Sequence, residues 1–127
     1  MSYSFNKVLD CSFEEAITRV TEQLAREGFG VLTEIDISAT LKKKLDVDFR
    51  KYKILGACNP HFAYKALQSE ADIGTMLPCN VVVQETKQGV KVSAIDPVAS
   101  MMAVNNDSLG SVSTEVRAKL EKVVDTL

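Results

Sequence analysis

Two apolar, β-rich runs, Cys79 to Glu85 and Val90 to Asp96, are separated only by Thr86-Lys87-Gln88-Gly89. So short a connection makes a hairpin, and Gly89 is available for the positive φ that tight turns require. A parallel crossover needs a dozen or more residues, so this feature commits the chain to an antiparallel pair. The rest of the fold has to be built around it.

Upstream, Tyr3 to Leu9 reads as a strand with Tyr3, Phe5 and Leu9 on one side and Lys7 interrupting. Ser12 and Glu15 then form a capping box, each side chain placed to satisfy the other's free backbone N–H. Phe13, Ala16, Ile17, Val20 and Leu24 follow at helical spacing, and Gly28 supplies the stop. From Phe29 to Ile37 the period changes to two. Phe29, Val31, Thr33, Ile35 and Ile37 are expected on one face, with Glu34 and Asp36 on a wet one.

Ser38 to Leu45 is a short helix with Leu41 and Leu45 one turn apart, and Tyr52 to Cys58 is a third strand. Asn59-Pro60 reads as an N-cap followed by proline at the first helical position, where the missing N–H costs nothing. That helix continues through Phe62, Ala63, Ala66 and Leu67. Asp96-Pro97 repeats the device before the apolar stretch Val98 to Val104, and Asn105-Asn106-Asp107 is a loop. The last helix carries Val112, Val116, Leu120, Val123 and Leu127 on one stripe.

Strands and helices do not alternate strictly, which disfavours a doubly wound parallel sheet. The expected fold class is α+β, in the order β-α-β(4)-α, with helices packed on an antiparallel sheet. Residues 1–127 form a single domain, without internal repeat, linker or low-complexity segment.

With 46% hydrophobic and 25% charged residues, the composition is that of a globular domain. Fifteen basic against seventeen acidic residues give a net charge of −2, which argues against nucleic acid as the main partner. No apolar run reaches membrane-spanning length, and Met1 to Lys7 lacks the apolar core of a signal peptide. Three cysteines cannot all pair within the chain, so they are read as reduced thiols in a cytoplasm.

The stretches GFGVLTEIDISATLKKKL, YKILGACNPHFAYKAL, MLPCNVVV and VSAIDP resemble the small bacterial and archaeal family called domain of unknown function 302. The likeness is close over residues 28 to 97 and most specific at Ala57-Cys58-Asn59-Pro60 and Leu77-Pro78-Cys79. It implies a β-α-β(4)-α fold similar to the TATA-binding-protein-like class, usually as a homodimer. It carries no established activity, so no catalytic residue follows from it. Likeness to a DNA-binding architecture is not evidence for DNA binding. Histidine at position 61 departs from the family's pattern, which weakens any mechanism needing an imidazole.

Cys58 precedes the Asn59 cap, where free N–H groups and the positive end of a helix dipole would favour thiolate. Free cysteine is also among the most buried residue types, so packing is the first reading for Cys58, Cys79 and Cys11. Cys58-x-x-His61 has metal-ligand spacing, with Cys79 available as a third ligand. There is no C-x-x-C and no second histidine, so no metal and no cofactor are assigned. A Cys58–His61 nucleophilic pair lacks a third orienting group. The basic run Lys42-Lys43-Lys44, with Arg50, Lys51 and Lys53 beyond it, is broken by Asp46 and Asp48 and reads as a solvated face.

Strand direction gathers the remaining candidates. In an antiparallel meander, the chain leaves strand 52–58, enters 79–85 and leaves 90–96 at one end of the sheet. Cys58, Asn59, His61, Cys79, Asn80 and Asp96 are expected there, beside the helix starts at Pro60 and Pro97, where an anion is readily bound. The expected function is that of a non-catalytic, dimeric ligand-binding or accessory protein with a small-anion site near Cys58 and Cys79. The alternative is a thiol-dependent enzyme or redox protein using Cys58 or Cys79.

Overall fold

In the computed structural model, which describes residues 2–127, the hairpin is the centre of a five-stranded sheet. The strands are β1 (Ser4–Leu9), β2 (Gly30–Asp36), β3 (Tyr52–Cys58), β4 (Cys79–Thr86) and β5 (Gly89–Ile95). Their spatial order is β1-β5-β4-β3-β2, with every neighbouring pair antiparallel. The helices are α1 (Phe13–Arg26), α2 (Ile37–Leu45), α3 (Pro60–Ser69), α4 (Pro97–Ser100) and α5 (Leu109–Asp125), with a 3-10 segment at Ala71–Met76. The α+β class and the β-α-β(4)-α order therefore stand, with α2 and α3 inserted between strands and α4 between β5 and α5.

α1 and α5 lie on one face of the sheet. Phe13, Ala16, Val20 and Leu24 of α1 and Val116, Leu120, Val123 and Val124 of α5 are buried there against Leu55, Val81, Val83, Val92 and Ala94. The ladder register explains the selection, since Val81 pairs with both Leu55 and Ala94 and so shares their face. At about 1.5–3 kcal/mol per buried aliphatic side chain, this layer is the main source of stability. A second, smaller cluster forms where α3, the 3-10 segment and α5 meet, around Ala66, Ile73 and Leu109.

The caps were legible in part. The Ser12 hydroxyl accepts from the Glu15 N–H at 3.1 Å, but no bond returns from the Glu15 side chain, so the box is half made. Gly28 ends α1 at φ +86°, with the Phe29 N–H reaching back to the Leu24 carbonyl at 2.9 Å. Lys7, which interrupts the pattern of β1, donates to the carbonyls of Asp125 at 3.2 Å and Leu127 at 2.7 Å. A cation there meets the negative end of α5.

The expected alternation of β2 fails at one residue. Val31 pairs with Ala57 and Thr33 with the adjacent Gly56, so Leu32 is an extra residue, a β-bulge. One inserted residue reverses the parity of everything after it. Phe29 is buried on the helical side, Val31 is half-buried beside Ala57, and Thr33 and Ile35 fall on the opposite, bare face. Ile37 has left the strand and opens α2, capped by the Asp36 carboxylate on the Ala39 N–H at 2.9 Å. That bond and the Ser38 hydroxyl hold the Asp36 carboxyl below its ordinary pKa. α2 buries none of its residues, so the expected Leu41–Leu45 stripe has no core to face.

Candidate functional site

Ala57 pairs with Cys79, which makes Cys58 the next residue along β3 and brings the two thiols to one end of the sheet. Gly56 permits a tight approach just beneath. A Cβ at that position would collide with Thr33 Oγ1 and come within 2.7 Å of Pro78 Cγ. Pro78, preceded by a cis peptide bond, thereby leads Cys79 into β4 against the β2–β3 ladder.

Both cysteines border a half-open cavity of about 320 Å³. It occupies the gap between the main core and the smaller cluster. Phe29, Ala57 and Val116 belong to the first, and Ala66, Leu77 and Met101 to the second. α3 contributes Phe62, Ala63, Ala66 and Leu67, the apolar positions its helical spacing marked. The walls are almost wholly apolar, and none of the lining residues carries a charge.

This environment acts on the Cys79 thiol. Burial, with the neighbouring Cys58 as a second cause, pushes the Cys79 thiol up from 9.0 to about 11. A buried thiolate lacks solvation, so the neutral form is held. At neutral pH this holds Cys79 in its protonated form. Cys11 packs half-buried against the core, as its position suggested.

The other expected site residues separate. Asn59 lines the cavity and is 8% exposed, but its side chain does not cap α3. Its Nδ2 donates instead to the Glu27 carbonyl at 3.3 Å, tying the start of α3 to the turn after α1. Asp96 is equally buried and fully engaged. Its Oδ1 accepts from the Val98 N–H at 3.0 Å, and its Oδ2 takes the Arg117 Nε at 3.1 Å. Asn80 pairs with Gly56 and alternates with Cys79 and Val81, so it lies on the bare side of the sheet and borders a separate recess of about 230 Å³. His61 is exposed and does not line the cavity. Among the described residues, no three His, Cys, Asp or Glu side chains are placed to hold a metal ion.

Ser113 was not among the sequence candidates. It is 7% exposed on α5, lines the cavity and donates its hydroxyl to the Gly110 carbonyl at 3.1 Å. The one available signal was a serine next to Val112, on the stripe that α5 turns inward.

A family profile described as "Domain of unknown function DUF302" matches residues 5–127. The chain belongs to this family. The crystal structure of an uncharacterized conserved DUF302 protein from Bacillus stearothermophilus is 27% identical in sequence and superposes with a TM-score of 0.91, covering 98% of each chain. A search of curated proteins gave no match. The close superposition along the whole chain means that the sheet end with Cys58 and Cys79 is built on a backbone that this DUF302 protein shares with a distant relative.

Proposed function

We propose that this DUF302 protein is a non-catalytic, dimeric ligand-binding protein whose ligand occupies the cavity beside Cys58, Asn59 and Cys79. The observation that carries the reading is the cavity itself. Interiors of this size are ordinarily close-packed, and an apolar gap of about 320 Å³ between two packed clusters is the size and character of a small-molecule site. A catalytic reading finds less support. Cys79 is held neutral, Asp96 is committed to Val98 and Arg117, and His61 lies outside the cavity.

A small anion is less well served than an apolar molecule. The first turn of α4 is already occupied by Asp96, and no cationic side chain lines the cavity. The start of α3, left without a side-chain cap, is the one place at its rim suited to a negative head. The three free cysteines fit a reducing, cytoplasmic setting. No helix among the described residues is long and apolar enough to cross a membrane.

For the dimer, the bare sheet face is the surface we assign. Ile35, Ile54, Val82 and Ile95 lie on it among Asn6, Asn80, Gln84 and Ser93, with Lys91 as a cation in its central strands. Five strands about 4.8 Å apart and about 23 Å long give about 550 Å² per copy. Two copies stacked would bury about 1,100 Å², just above what a specific interface requires. This face offers too few cations to neutralise a nucleic-acid backbone.

Two measurements test these readings. An environment-sensitive apolar dye, N-phenyl-1-naphthylamine, is expected to brighten saturably with the protein and to be excluded by Ala63→Phe, which fills the cavity from α3. Dye bound equally well by that variant would refute the cavity. Light scattering at micromolar concentration is expected to give twice the 13.9 kDa chain mass, and Val82→Arg to give the monomer. A monomeric native protein would remove the dimer.

A further inference from the structure

The polar atoms of the cavity specify what its occupant must offer. Asn59 is more than nine-tenths buried, and its Nδ2 is committed to the Glu27 carbonyl. Its Oδ1 accepts no hydrogen bond, because α3 receives no side-chain cap. No side-chain oxygen or nitrogen among the described residues is both sealed from solvent and unpartnered, so this Oδ1 retains accessible surface. Asn59 borders the cavity, so we take this accessible oxygen to be reached from there. Ser113 has the same polarity. Its hydroxyl hydrogen goes to the Gly110 carbonyl, leaving only acceptor capacity. The side chains of the site therefore present acceptors in apolar walls, with no charge of either sign.

We infer that the ligand is an uncharged, mainly apolar molecule carrying one hydrogen-bond donor, an N–H or O–H that is received by Asn59 Oδ1. The inference rests on the cavity reading above and adds the chemistry of the ligand to it. At the ~30 Å³ that one water occupies in the liquid, a volume of about 320 Å³ accommodates about ten non-hydrogen atoms. A flat bicyclic N-heterocycle or a small phenol has that size and that single donor. A carboxylate would bring only acceptors to Asn59 Oδ1, into a space where no cationic side chain compensates its desolvation, and the uncapped N–H groups of α3 lie only at the rim.

The chain contains no tryptophan, so indole can be followed without background. Calorimetric titration of the full chain would compare indole, 1-benzothiophene, which has the same shape without the donor, and indole-3-carboxylate. Indole is expected to bind saturably with a Kd below about 1 mM. 1-Benzothiophene should bind about tenfold more weakly, the loss of one buried hydrogen bond. Indole-3-carboxylate should not saturate. In Asn59→Leu, the indole affinity should fall to that of 1-benzothiophene, which itself should hardly change. A merely structural role for Asn59 would weaken both equally. Should that variant not fold, the native protein's preference between the first two ligands still decides. Equal binding of indole and 1-benzothiophene, both abolished by Ala63→Phe, would overturn the donor inference and leave the cavity standing. Tighter binding of the carboxylate would overturn the inference of a neutral ligand. No binding of any of the three would overturn both readings.

Discussion

Asn59-Pro60 and Asp96-Pro97 are the same local device, a short polar cap and a proline at the first helical position, and the protein uses them in opposite ways. Asp96 closes on itself. It caps the Val98 N–H, pairs with Arg117, and its carbonyl accepts from the Ser100 N–H at 3.0 Å. Asn59 keeps the backbone part of the device, with the Ala63 N–H on its carbonyl at 2.9 Å, but sends its side chain to Glu27. One helix start is consumed by structure, and the other is left open beside a cavity. The difference lies in the neighbours. Arg117 of α5 reaches Asp96, whereas the turn at Gly28 brings a carbonyl to Asn59, close enough that a Cβ at Gly28 would stand 3.0 Å from Asn59 Nδ2.

Removing the closed start should have the largest effect. Asp96→Ala deletes a cap and strands Arg117 over the Phe5 ring, and is expected to cost about 3 kcal/mol in urea unfolding. Asp96→Asn keeps an acceptor for Val98 and should cost about 1 kcal/mol. If the two variants are equally unstable, the charge rather than the cap sustains that helix start.

The surroundings of the open start are tested by pH. Cys79 is raised from 9.0 to about 11, so the unfolded chain loses this proton before the folded chain does. The stability it contributes is complete below about pH 9 and falls by about 2 kcal/mol as pH rises through 11. Cys79→Ala should flatten that decline. An identical decline in the variant would mean that the region around Asn59 is wetter than the apolar lining indicates.

The smallest effect belongs to Asn59 itself. Asn59→Ala loses one hydrogen bond to the Glu27 carbonyl and no cap, and should cost about 1 kcal/mol. A cost matching that of Asp96→Ala would erase the contrast between the two helix starts.

Sequence alone determined the hairpin at Gly89, the capped start of α1 at Ser12 and the stop at Gly28, because each depends on residues within a few positions of one another. It also determined that Cys58 and Cys79 share a sheet end, since alternating strand direction is a counting argument once the meander is fixed. It misplaced Thr33 and Ile35, because a bulge at Leu32 is decided by how β2 must meet Gly56 and Pro78, not by the alternation of β2. It also grouped Asn80 and His61 with the thiols, since proximity along a chain cannot distinguish the two faces of a sheet or the inside of a helix from its outside. The cavity was the least legible feature. Its walls come from segments as distant as Phe29, Cys79 and Val116, and an unfilled volume exists only after those segments have packed. Local chemistry chose the elements, while the separation between two packed clusters, a property of the assembled chain, decided where a ligand has room.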